Sequence, residues 1–247
     1  MNVAIYPDTD QLSHAAAQYI VQIANEAIAA HGRFTLALSG GSTPRKLYGL
    51  LASAPYRDQI RWEQVEIFWS DERNVPPDDP ESNYAMAREV MLSKVPIPAG
   101  QIHRVPAEVP DRDAASHTYT LEMQRVFGTD GVPGFDLIQL GMGPEAHTAS
   151  LFPHQASLHE QQRLVMPVDV PKPPPPRLTF TPPLLNAARH VLFLVTGAEK
   201  AEALQAVLEG PYQPEEYPAQ LVRPTHGETT WMLDTAAASK LQHPPQQ

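Results

Sequence analysis

Apolar positions along this chain recur at two periods, and the switches between them mark out its elements. Residues 3–6 alternate and predict a first short strand. Residues 10–31 place Leu12, Ala15, Ala16, Tyr19, Ile20, Ile23, Ala27 and Ile28 at helical spacing, which predicts an amphipathic helix. The compact apolar run 34–38 reads as a central parallel strand. Ser39-Gly40-Gly41-Ser42-Thr43-Pro44 breaks it, and helical periodicity resumes over 45–52. A second buried strand over 65–69 ends at Ser70-Asp71-Glu72-Arg73. Helices follow over 83–92 and 114–127, then a strand over 135–140. Strands over 163–170 and 177–181 flank a proline run at 171–176. A helical turn at 184–188, a strand at 191–196, a helix at 199–208 and a short strand at 231–234 complete the order.

Strand and helix alternate through most of this order, so the predicted fold is α/β: a mostly parallel sheet with helices on both faces, Rossmann-like and three-layered. No repeat or composition shift divides the chain. One domain over residues 1–240 is expected, with a frayed polar tail at 241–247. The 247 residues, 42% of them hydrophobic, suffice for one large core.

Charge narrows the partners. The formal net charge is −10, from 18 basic and 28 acidic residues, with no run of Lys or Arg. Such a surface repels nucleic acid and anionic membranes. There are no cysteines, so neither a disulfide nor a thiolate metal site is possible. The first residues have no basic start and no long apolar stretch, and no segment is long enough to span a membrane. A cytoplasmic protein is expected.

Three segments at strand ends carry candidate chemistry. In Ser39-Gly40-Gly41-Ser42-Thr43-Pro44 the glycines let the backbone bend and expose its N–H groups, Thr43 suits a helix N-cap and Pro44 the first helical position. That makes a phosphate cradle or an ordinary turn. In Ser70-Asp71-Glu72-Arg73, Arg73 could hold an anion, or the group is a surface ion-pair cluster. The third segment, residues 141–153, places His147 after a buried strand and two glycines, with Glu145 near enough to orient the imidazole. An imidazole there can act as a general base near neutral pH. Arg177 and Lys200 are further candidate phosphate partners. His103, His117, His190 and His226 lack such company and read as structural or solvated. His154 and His159 do not have metal-ligand spacing, so no metal site is expected.

Taken together, Leu38 to Pro44, Ser70 to Val75, Ser82-Asn83-Tyr84, Gly141 to Pro153, Arg177 to Thr181 and Trp231 to Asp234 resemble the sugar-phosphate family of 6-phosphogluconolactonases and glucosamine-6-phosphate deaminases. His147-Thr148-Ala149-Ser150-Leu151-Phe152-Pro153 is similar to the lactonase branch rather than the deaminase branch. The resemblance implies the deaminase/ribose-5-phosphate isomerase-like fold. It implies hydrolysis of 6-phospho-D-glucono-1,5-lactone to 6-phosphogluconate in the oxidative pentose phosphate pathway, without cofactor or metal, by a monomer or homodimer. By the same resemblance His147, Glu145 and Arg73 would be catalytic. Ser39, Gly40, Gly41, Ser42, Thr43, Asp71, Arg177 and Lys200 would bind the substrate and its phosphate. Glu145-Ala146 departs from the family's Asp-Gly, and the lost glycine removes an easy positive φ before the histidine. An aldose–ketose enzyme or a non-catalytic sugar-phosphate sensor are the competing readings. The acidic charge argues against a DNA-binding regulator.

Overall fold

The computed structural model describes residues 1–171, 173 and 176–243. Its strands are β1 (Asn2–Tyr6), β2 (Phe34–Leu38), β3 (Val65–Trp69), β4 (Asp71–Arg73), β5 (Leu137–Gly141), β6 (Val165–Asp169), β7 (Pro176–Phe180), β8 (His190–Val195) and β9 (Glu228–Asp234). Its α-helices are α1 (Thr9–His31), α2 (Ser42–Leu51), α3 (Asn83–Ala87), α4 (Arg112–Phe127), α5 (Pro182–Asn186) and α6 (Ala201–Glu209). Six strands form one parallel sheet in the order β1–β9–β8–β5–β2–β3. The α/β reading therefore holds. Among the described residues no helix is long and apolar enough to cross a membrane.

Local chemistry explains the long helices. Asp8 caps α1 by accepting from the Gln11 N–H, and Gly32 ends it at φ 84°. Asp111 caps α4 through the Ala114 N–H, so that helix starts two residues before its apolar period shows. The predicted helix over 83–92 is α3 continued by a π-helical turn, Arg88–Leu92. The predicted helix over 199–208 is a 3₁₀ turn, Ala198–Lys200, followed by α6.

Helices cover both faces of the sheet. Phe68 of β3 points to one face, where it packs edge-on to Phe135 at 5.2 Å and against Tyr119 of α4 at 6.2 Å. Gln139 of β5 points to the other, where it accepts a hydrogen bond from Tyr48 of α2 at 2.7 Å. Burial pushes the Tyr48 hydroxyl well above its ordinary value, so it stays a donor.

A second sheet does not follow from the apolar pattern. β4, β7 and β6 form a three-stranded antiparallel sheet, with Asp71 opposite Thr179 and Arg73 opposite Arg177. The segment 71–73, read as the polar end of β3, is thus itself a strand. Its side chains are too polar to register as one; Glu72 supplies its own burial by accepting the N–H groups of Arg73, Asn83 and Tyr84 and the Ser82 hydroxyl. β9 is also longer than predicted, because Glu228 to Thr230 are polar although β9 lies inside the sheet. At the C-terminal end, Gln242 and His243 donate their N–H groups to Glu209. The rest of the expected tail, 244–247, lies outside the described residues, as do residues 172, 174 and 175 of the proline run.

Of the histidines read as structural, His103 is buried between Glu66 and Glu122, 2.7 Å from each. Arg125, then His103, hold the Glu122 carboxyl down at about 2 against the opposing effect of burial. A depressed folded-state value stabilises the protein above the ordinary carboxylate range and loses that contribution as pH falls through about 2. Glu122→Gln is therefore expected to be less stable than the parent at pH 7. The gap should narrow between about pH 5 and pH 2 in urea unfolding at each pH; a gap constant with pH would contradict the linkage.

Candidate active site

The order of the parallel sheet places the site. From β2 the chain moves outward to β3, whereas from β5 it moves the other way to β8. The gap beyond the carboxyl ends of β2 and β5 is thus a topological switch point, where open α/β sheets bind ligands. The Ser39–Pro44 turn leaves the end of β2, and the Gly141–Pro153 segment leaves the end of β5. Between them lies a cleft of about 240 Å³.

The first wall is the start of α2. The helix begins at Ser42, one residue before the expected cap; Gly41 takes the N-cap position at φ 113° with no side-chain cap. Thr43 is inside the helix, and its hydroxyl meets that of Thr196 at 2.8 Å. An uncapped start leaves the first N–H groups of the helix directed at the cleft. Ser39 also lines the cleft, but its hydroxyl donates to Gln139 at 2.8 Å and its N–H to the Tyr48 hydroxyl at 3.0 Å. Those bonds fix the turn.

The second wall carries His147. The turn is closed by Gly143 N–H to the His147 carbonyl at 3.0 Å and Ala146 N–H to the Gly143 carbonyl at 3.0 Å. The imidazole stacks on Phe152 with centroids 4.1 Å apart and planes within 10°. Glu145 Oε2 lies 3.3 Å from Nδ1; this is an electrostatic contact without hydrogen-bond alignment. Asp71, the other carboxylate nearby, accepts from the Ser150 hydroxyl at 2.7 Å and from Asn83 Nδ2 at 3.4 Å. Of these two carboxylates, Glu145 is the one in contact with the ring.

Ala146 shows how the turn accommodates the missing glycine. It is fully buried and sits at φ 60°, so the left-handed conformation is kept with a methyl in it. Its carbonyl accepts from the Ala219 N–H at 3.0 Å. Ala146→Val would put a β-branched side chain into a buried left-handed position. It is expected to lower stability by about 2–4 kcal/mol, read from the urea midpoint; an unchanged midpoint would show that the turn rearranges freely.

The third wall is cationic. Arg73, Arg177 and Lys200 all line the cleft, in a chain whose net charge is −10. Arg73 donates through Nη1 to the Glu81 carbonyl, while its buried Nε has no hydrogen-bond partner among the described residues. Arg177 is almost fully buried; burial lowers its affinity for a proton and Asp71 opposes that. Its guanidinium lies 5.8 Å from the Phe152 ring, which places it behind the imidazole's stacking partner. Lys200 ends the 3₁₀ turn ahead of α6.

Ten of the eleven sequence-selected residues line this one cleft, and Glu145 adjoins it through His147. Sequence reasoning from residue types passed over Asn83 and Phe152. Asn83 underlies Gly40, where a Cβ would come within 2.0 Å of Asn83 Oδ1. The signal for Asn83 was its place after Ser82, which caps α3 by accepting from the Ala85 N–H. Phe152 had none beyond its motif.

A profile described as glucosamine-6-phosphate isomerases/6-phosphogluconolactonase matches residues 7–231. The chain belongs to this family. Within it, the chain is 44% identical over 218 residues to the 6-phosphogluconolactonase of Synechocystis sp., covering 87% of this chain and 88% of that one. To the human 6-phosphogluconolactonase it is 41% identical over 248 residues, covering 98% and 94%. The solved structure of 6-phosphogluconolactonase from Trypanosoma cruzi superimposes with a TM-score of 0.88 at 30% identity, covering 98% of this chain and 97% of that one.

Proposed function

We propose that the protein hydrolyses 6-phospho-D-glucono-1,5-lactone to 6-phosphogluconate, the hydrolytic step of the oxidative pentose phosphate pathway. One observation carries the chemistry: His147 shares a single cleft with an uncapped helix start and three cations. The dianionic phosphate docks at the N-terminus of α2, where free N–H groups and the helix dipole favour it, helped by Lys200 and Arg177. This fixes the ring with its C1 carbonyl near His147.

With Nδ1 facing Glu145, Nε2 is the nitrogen left to act as base. Neutral His147 takes a proton from water as the oxygen attacks C1. Arg73 or the N–H groups of the glycine turn stabilise the oxyanion. The tetrahedral intermediate then breaks the C1–ring oxygen bond, and the imidazolium returns its proton to that oxygen. Glu145 stabilises the imidazolium while it exists. A lactone is already labile, so orientation and one base suffice.

The test is lactone generated in situ and followed against its spontaneous opening. Acceleration proportional to protein concentration is expected. Loss at the spontaneous rate, whatever the protein concentration, would remove the reading. Release of ammonia from glucosamine 6-phosphate would replace it with the deaminase.

A further inference from the structure

Ser150 is fully buried and does not line the cleft, yet its hydroxyl sits between two groups that do. It donates to Asp71 Oδ2 at 2.7 Å and accepts from Arg177 Nη1 at 3.5 Å. Its own N–H donates to the Thr179 hydroxyl at 3.1 Å, which fixes it against β7. Arg177 Nη1 is 3.8 Å from the same Asp71 oxygen, too far for a direct hydrogen bond. The hydroxyl is thus a spacer: it satisfies the carboxylate and holds the guanidinium off it. Asp71 in turn accepts from Asn83 Nδ2 at 3.4 Å, and Asn83 underlies Gly40 of the phosphate turn.

We infer that Ser150 is a positioning residue that keeps Arg177 directed at the substrate's anionic group instead of collapsing onto Asp71. Only two residues separate it from His147, so the loop that carries the base also sets the arginine. Deleting the hydroxyl removes Asp71's closest donor. The nearest replacement is the Arg177 guanidinium, and its move onto Asp71 re-aims a cation that lines the cleft. Hydrogen bonds to charged groups are strong enough to make this felt. The loss falls on binding, because His147 and its Glu145 contact do not involve Ser150.

The inference rests on the lactonase reading, and its test separates the two. Ser150→Ala deletes one buried oxygen and leaves the backbone bond to Thr179. The expected result is a KM raised about ten-fold with kcat within about two-fold, since ground-state binding alone is weakened. The Kd for 6-phosphogluconate, measured by calorimetric titration without turnover, should rise in parallel. In an Arg177→Met background, Ser150→Ala should change KM and Kd by less than about two-fold, because the group it positions is gone.

An unchanged KM and Kd in Ser150→Ala would overturn the inference. So would an equal loss with and without Arg177, which marks a general structural role. A Ser150→Ala protein too unstable to assay would be judged by Ser150→Cys, which fills the site but whose thiol is too poor a donor and acceptor to replace the hydroxyl between Asp71 and Arg177; wild-type Kd in that variant would also overturn it. If the parent lacks lactonase activity, the functional reading fails by itself. The 6-phosphogluconate titrations then decide Ser150 independently.

Discussion

His147→Ala is expected to lower kcat by about 10²- to 10⁴-fold, leaving little above spontaneous lactone opening. The magnitude follows from what the imidazole alone supplies. Arg73, Arg177 and Lys200 can bind and polarise, but as cations none can take a proton from water. Of the carboxylates, Asp71 is occupied by Ser150 and Asn83, and Glu145 reaches the reacting region only through His147. Among the described residues that line the cleft, no second base stands ready. KM should change far less, because the proposed docking puts the phosphate on the opposite wall of the cleft. The fold should survive, since the ring is partly exposed at the mouth of the site and the turn is closed by backbone bonds at Gly143 and Ala146. Steady-state kinetics with the spontaneous rate subtracted, alongside urea unfolding, checks both halves. A variant with parental kcat would remove His147 from the mechanism; one that is unfolded would leave His147→Gln, similar in size but without a comparable base, to decide.

The legibility of this site in sequence has a physical pattern. Parallel strands buried on both faces read as apolar runs, so β2, β3, β5 and β8 were visible within a residue or two. The strand-end turns were visible because glycine, hydroxyl and charged residues cluster there. Asp71–Arg73 was not visible as a strand, because its buried polar side chains are satisfied by partners distant in sequence, such as Tyr84 on Glu72 and Ser150 on Asp71. The Thr43 cap was misplaced for a related reason. Ser42, Thr43 and Gly41 all suit a helix start, and the Thr43 hydroxyl is drawn to Thr196, a partner far off in sequence, instead of capping the helix. The role of Phe152 depends on a plane-to-plane stack, and no residue spacing encodes the angle of a ring.

Gly143→Ala tests that three-dimensional part of the site most sharply. Gly143 does not have a positive φ, so alanine is acceptable to its backbone. What it lacks is room: a Cβ there would lie 2.1 Å from both Cε1 and Nδ1 of His147 and 2.9 Å from Glu145 Oε2. Real contacts do not come so close, and the ring is already backed by Phe152 at 4.1 Å. The imidazole must therefore swing away, and it takes the Glu145 contact with it. Misplacing a catalytic group by about 1 Å can cost about 10²-fold, so kcat should fall on that order while the urea midpoint drops only modestly. The decisive comparison is with His147→Ala. If the methyl acts by displacing the base, adding Gly143→Ala to His147→Ala should cause no further loss, because both changes remove one function. A further loss as large in the double variant would mean that the glycine turn serves the reaction in some way besides making space for the imidazole.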